Sequence, residues 1–425
     1  MDNKNLIDLL VRENVPSLGC TEPMAIAYAS ALAVELLGGG CDTLTLYVSP
    51  NILKNAMGVG IPGSTLVGGQ IAAALAWVAG TPAYGLEVLR DVTPKDEQKA
   101  RRLLEKGLVR INLADTDKKL YIRAVAAGGG NEGSVVICGQ HTHVAERRKN
   151  GVLVSSAESE SETETPDLPA LTLEQIWNFI HDVPARDLEF LQAGIDMNLR
   201  AAEEGLRNPY GLQLGRRLLD RQKSAGGSDP FLAAAALAAA AADARMAGCR
   251  LPVMTVTGSG NQGIATILPA AVLARRRGAD QARTLRAVAL CQLVAIEAKQ
   301  YTGRLSALCG AVNAAAAGVA CAAVYLYGGS LGDACRAVQN VAGNVAGLIC
   351  DGAKSSCSLK IVTGVLAAMQ AAMLALHGSA VGGQDGIVSP CAEDTLKNLG
   401  RLANQGMQTT DQVILQIMLE KQSRP

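Results

Sequence analysis

Aromatic residues are scarce in this chain, at 3% of 425 positions, and there are four histidines. Few rings leave few platforms on which nucleic-acid bases could stack. Four histidines make a histidine-based metal centre a poor expectation. An excess of charge is missing as well, because 39 lysines and arginines balance 39 aspartates and glutamates. Neutralising phosphates or binding an anionic lipid surface needs a basic excess, so no nucleic-acid or membrane partner is expected. The eleven cysteines include no Cys-x-x-Cys pair, which argues against a zinc ribbon. The opening stretch MDNKNLIDLLVREN has scattered charges and no unbroken apolar core, so it is not expected to be a signal peptide. Two Ala-rich stretches fall short of a bilayer span. Residues 231–242 are cut off by Asp243 and Arg245, and residues 310–329 are mostly Ala and Gly.

What the chain does have is small and apolar. Hydrophobic residues make up 49% and charged ones 18%, which excludes bulk disorder and gives a well-cored protein long enough for two domains. Reduced thiols in the cytoplasm are the expectation for these cysteines. An odd number leaves at least one without an intramolecular partner.

Helices are predicted at 4–14 and 22–37, the latter with Pro23 in its first turn. A strand at 43–48 follows, and then the Gly-rich run NAMGVGIPGSTLVGG opens an Ala-rich helix reaching about Ala79. Thr93 and Pro94 start a charged helix that stops at Gly107. Alternating segments at 108–113, 119–127, 133–138 and 141–146 predict a small antiparallel sheet, with Asn150-Gly151 as a hairpin turn. The acidic stretch 155–167 reads as a solvated linker, and helices follow to the end apart from a short apolar segment near Leu251–Val256. The expected fold is mainly α with an inserted α+β domain. Residues 1–83 and 167–425 form an Ala/Gly-rich helical core domain, and 84–166 form a small antiparallel sheet domain ending in the acidic linker.

Two segments match G-x-G-x-x-G, at Gly58–Gly63 and Gly258–Gly263. Neither stands in the βαβ setting of a dinucleotide site, but both suit anion binding at a helix start, or simple tight turns. GSGNQG is also similar to the phosphate cup of pyridoxal-phosphate lyases. Those enzymes need a Schiff-base lysine on a parallel-sheet scaffold, and Lys54 is the lysine nearest a Gly-rich loop in the N-terminal part. His141 and His143 alternate on a predicted strand and read as an exposed face. Cys309 in SALCGA, with Cys350 and Cys357 in CDGAKSSC, offers three thiols from two loops beside helix starts. Such a set suits an iron–sulfur cluster with one iron left open; buried structural thiols are the competing reading. Cys20, in PSLGCTEPMA, stands at a helix start that favours a thiolate, while Glu22 opposes it.

PSLGCTEPMAIAYA, GSGNQGI, SALCGA and CDGAKSSCSLK together make the chain similar to the L-cysteine desulfidase family, related to the α chain of iron–sulfur L-serine dehydratases. The similarity runs from residue 4 to about 420. It implies a [4Fe-4S] cluster held by Cys309, Cys350 and Cys357, and Cys20 as catalytic base or resting-state ligand. It further implies an iron–sulfur carbon–sulfur lyase that eliminates hydrogen sulfide from L-cysteine, leaving pyruvate and ammonia. The related dehydratases commonly end in a cysteine, whereas here the last one is Cys391, which favours the desulfidase over the L-serine dehydratase. Asn55, Asn261 and Gln262 are candidates for holding a small amino-acid substrate, and Lys354 for offsetting cluster charge. A pyridoxal-phosphate lyase and a non-enzymatic iron–sulfur storage or sensing protein are the other readings. Assembly into a homo-oligomer is left open.

Overall fold

The structure is a computed structural model and describes residues 3–157 and 171–422. The N-terminal part holds α1 (Asn3–Glu13), β1 (Pro16–Leu18), α2 (Thr21–Leu37), β2 (Thr43–Val48), α3 (Pro50–Ala56), α4 (Gly69–Ala79) and α5 (Pro94–Glu105). Thr93 and Asp96 form a reciprocal capping box at the start of α5, with Pro94 at its first position. Five strands follow: β3 (Val109–Leu113), β4 (Tyr121–Gly128), β5 (Asn131–Cys138), β6 (Val144–Lys149) and β7 (Val152–Ser156).

The sheet is mixed, which corrects the antiparallel expectation. Its order is β3-β2-β4-β5-β6-β7, and β2 runs parallel to β3 while every other pair is antiparallel. The reason lies in the connection between them: a crossover through α3, α4 and α5 returns the chain in the same direction, as parallel neighbours require. The turn Asn150-Gly151 has positive φ at both residues and closes the β6–β7 hairpin as expected. The first part of the expected acidic linker, Ser155 and Ser156, belongs to β7, and residues 158–167 lie outside the described residues.

The C-terminal part is helical: α6 (Leu173–Asp182), α7 (Leu191–Arg207), α8 (Leu214–Ser224), α9 (Pro230–Met246), then β8 (Pro252–Met254). After it come α10 (Gly260–Arg276), α11 (Gln281–Thr302), α12 (Asn313–Leu326), α13 (Leu331–Val345), α14 (Cys357–Leu376), α15 (Ala392–Arg401) and α16 (Thr410–Gln422). Helices α9 and α12 are buried almost all round, and their alanines let neighbouring backbones pack close. By length and composition α14 could cross a membrane, but half of its apolar window is buried against other helices.

Two large hydrophobic cores result, with a small third cluster of Leu308, Leu399 and Ala403. One takes α1 and the helices from Leu171 to Leu396; the other takes residues from Cys20 to Ile137 together with Met246. The boundary between them in the N-terminal part falls between Leu10 and Cys20, so residues 20–83 pack with the sheet. Strand β1 pairs with β8 across this boundary.

Candidate active site

Pairing of β1 with β8 brings two helix starts together. Cys20 precedes α2, and Ser259 caps α10 by accepting a hydrogen bond from the Gln262 N–H at 3.3 Å. Arg245, at the end of α9, spans both. Its Nη1 donates to Asn261 Oδ1 at 2.9 Å, and its Nη2 lies 3.5 Å from Thr21 Oγ1. From α3, Asn55 Nδ2 donates to Glu22 Oε1 at 2.9 Å, while the Cys20 thiol donates to Glu22 Oε2 at 3.1 Å.

The Cys20 thiol is held protonated. Burial pushes its pKa well above the usual value, and the Glu22 carboxylate adds to that, outweighing Arg245. The helix start expected to favour a thiolate is present, but a single terminal partial charge cannot offset burial beside a carboxylate. Glu22 is the ionised member. Burial pushes it up, yet His141 and the hydrogen bonds from Cys20 and Asn55 bring the net shift below the ordinary range. His141 is not on an exposed strand face, which corrects the sequence expectation: it sits in the turn between β5 and β6 and is buried. Burial lowers its pKa, against the pull of Glu22 and with the push of Arg304.

The three expected cluster cysteines come together. The loops carrying Cys309 and Cys350 are zipped by the Cys309 N–H to Leu348 O at 2.9 Å and the Cys350 N–H to Ala307 O at 2.7 Å. Cys357 opens α14. Burial raises the Cys309 thiol most, and Cys350 and Cys357 raise it further, with Lys360 opposing. Cys357 is likewise raised by burial and by Cys350, and opposed by Lys360 and Arg245. Lys299 is buried beside the same thiols; burial lowers it to about 8, against the pull of Cys350 and Cys309. Among the described residues, no three His, Cys, Asp or Glu side chains converge closely enough to hold a single metal ion. An iron–sulfur cluster makes a different demand, since each thiolate takes its own iron. Three soft donors on two joined loops, with Lys299 and Lys360 to offset thiolate charge, fit that group.

The other candidates are spread unevenly. Asn55 and Asn261 act through Glu22 and Arg245. Gln262 is fully buried and donates to Thr257 Oγ1 at 2.7 Å. Lys354 is turned to Asp351, 2.6 Å from its Oδ2, and Lys360 is the cation set against the thiols. Around the site Arg245 Nε, His141 Nε2, Asn55 Oδ1 and Gln262 Oε1 are buried with no hydrogen-bond partner among the described residues. In the sequence Arg245 serves only as one of two charges that cut off an apolar run too short for a bilayer. The signal was there, since Asp243 and Arg245 are the charges in an otherwise apolar helix.

A mainly helical protein with three grouped thiols beside a buried thiol–carboxylate pair suits lyase chemistry. The chain belongs to the serine dehydratase alpha chain family, whose family model matches residues 83–416. It is 40% identical over 422 residues to a UPF0597 protein of Photobacterium profundum, covering 98% of both chains. It is 39% identical over 423 residues to a UPF0597 protein of Bacteroides fragilis, covering 99% of both, and 41% identical over 420 residues to one of Shewanella baltica, covering 97% of both. This is the relationship that the motifs around Cys20, Cys309 and Cys350 implied, and it makes the protein a lyase-type enzyme.

Proposed function

We propose that the protein is an iron–sulfur lyase that eliminates the β-substituent of a small amino acid, L-cysteine first, giving hydrogen sulfide, pyruvate and ammonia. One observation carries this reading: a buried proton-sharing pair, Cys20 and Glu22, stands within electrostatic reach of the same Arg245 whose charge also reaches Cys357. Cys309, Cys350 and Cys357 would hold a [4Fe-4S] cluster. Bound there, the cluster supplies a Lewis acid for the departing β-sulfur or β-oxygen.

The chain's own part is proton handling in a closed site. Cys20 and Glu22 together hold one proton and can take a second. As the Cys20 sulfur receives the substrate α-proton, its own passes along the 3.1 Å hydrogen bond to Glu22. Asn55 keeps Glu22 aimed at the thiol. A pyridoxal-phosphate mechanism finds less support. The Gly258 loop opens an all-helical region, and Lys54 is committed to Asp411 at 2.5 Å and to Cys350 O at 2.8 Å.

Anaerobically prepared protein should contain iron and acid-labile sulfide, and should lose most of both when Cys309, Cys350 and Cys357 are all replaced by Ala. It should release sulfide from L-cysteine with a higher kcat/KM than it forms pyruvate from L-serine. Full iron retention in the triple variant would end the cluster assignment. A clear preference for serine would move the substrate to the hydroxyl amino acid named in the family's description.

A further inference from the structure

We infer that Arg245 is the residue that binds the substrate's α-carboxylate, so that it makes the site selective for amino acids over amines. The inference rests on the elimination reading above and adds to it a specificity-determining residue.

Arg245 is 3% exposed, and no ion pair to it is found among the described residues. Lys54 pairs with Asp411, and Arg304 pairs with Glu13 at 2.8 Å; Arg286 shares an unpartnered Nε, but it is only half-buried and donates to the Val183 carbonyl away from the site. Lys299 has no acid among the described residues, but an amine can shed its proton, and burial already lowers it to about 8. A guanidinium cannot. A permanently charged, buried side chain whose hydrogen bonds go to neutral oxygens lacks the anion that would balance it.

The geometry shows where that anion belongs. Nη1 is taken by Asn261 at 2.9 Å, and the Thr21 contact to Nη2 is long at 3.5 Å. Nε has no hydrogen-bond partner among the described residues. The Nε–Nη2 edge is therefore the free one, and it is one of the edges on which Arg grips a carboxylate through two parallel hydrogen bonds. Gly260 keeps the flank of that edge clear. A Cβ there would stand 2.4 Å from Nε and 2.8 Å from Nη2. The first turn of α10 begins at the same glycine, so its N–H groups reinforce an anion at this place. Arg245 also acts electrostatically on both Cys20 and Cys357, so a carboxylate bound to it lies near the proton-sharing pair and the cluster thiols alike.

Isothermal titration of the anaerobic holoprotein with L-alanine, which has no leaving group, and with L-alaninamide, which has no carboxylate, tests this. Wild type should bind L-alanine the more tightly. Arg245→Met should weaken L-alanine by about 10- to 100-fold, and the difference between the two ligands should collapse. Arg245→Lys should recover part of it. Gly260→Ala keeps the charge but crowds the edge, and should weaken L-alanine while leaving iron content unchanged. Unchanged L-alanine affinity in Arg245→Met would overturn the inference, as would a wild type that does not distinguish the ligands. An Arg245→Met protein that sheds its iron but binds L-alanine normally would make Arg245 a counter-charge for the thiols instead. Failure of the elimination reading looks different: wild type would form no pyruvate from cysteine or serine, whatever its preference between these ligands.

Discussion

Cys20 keeps its proton because burial and a carboxylate act on the same sulfur, and a catalytic thiol in that condition needs somewhere to send it. Replacing Cys20 with Ala should lower turnover by about 10²–10⁴-fold, the usual worth of a positioned proton acceptor. Iron content should stay near wild type; equal loss of iron to that in Cys350→Ala would make Cys20 a structural ligand. Glu22→Gln should lower kcat comparably, because the amide cannot take the thiol's proton. A normal kcat in that variant would take Glu22 out of the relay. Elsewhere on the molecule, Glu297 gives a clean titration. Burial raises its carboxyl to about 7, opposed by the Leu171 N–H that donates to Oε2 at 2.9 Å. The folded state thus holds this proton more tightly than the unfolded chain. The resulting stability is complete below the ordinary glutamate range near 4.5 and is lost as pH rises toward 7. Glu297→Gln should flatten that loss in urea titrations between pH 5 and pH 8 (roughly the span over which the group titrates). An unaltered slope would refute it. Residues such as Cys20 and Cys309 were legible because cysteine chemistry and motif context point to them. Arg245 and His141 were not, since burial of a polar side chain depends on partners far away in the chain.

At the scale of elements, α16 is tied to the cluster loops by one contact. Asp411, at its start, accepts from the buried Lys54 at 2.5 Å and from Asn51 at 2.6 Å, and Lys54 also donates to the backbone carbonyl of Cys350. Asp411→Ala would leave a buried ammonium with that carbonyl alone. It should cost about 3 kcal/mol in denaturant unfolding, and the cluster should be lost faster on chelation. A loss under 0.5 kcal/mol, within the range of ordinary surface substitutions, would show that the pair adds nothing. Local signals served well where an element is fixed by its own residues, as in the Thr93 capping box and the Asn150-Gly151 turn. They failed where pairing is long-range. The parallel partnership of β2 and β3 is set by what the chain does over the residues between them, and alternation within each strand cannot report it. The expected strand at 141–146 instead begins at Val144, because the buried His141 belongs to a turn.

At the scale of the whole molecule, the site lies where the two cores meet, and parts come from both. Glu22 and Asn55 belong to the sheet-side core, whereas Cys309, Gln262 and Asn261 stand on the helical side. Mainly helical character could be read from composition and periodicity. The path of the core boundary could not, because residues 20–83 look helical and Ala-rich in their own right yet pack on the sheet. This arrangement has a consequence for how the protein is made. Cys20 leaves the ribosome more than 220 residues before Arg245 and β8. At about 5–20 residues per second that is a wait of roughly 10–45 s. During that time the sheet-side core lacks the partner strand β8, which pairs with β1, and lacks Arg245, which covers the Cys20 turn. The thiol is then exposed and without its final surroundings, so a nascent chain is open to oxidation at a residue the finished enzyme buries. Growth in air should therefore modify Cys20 in ribosome-bound chains stalled before residue 245, and spare it in the completed fold.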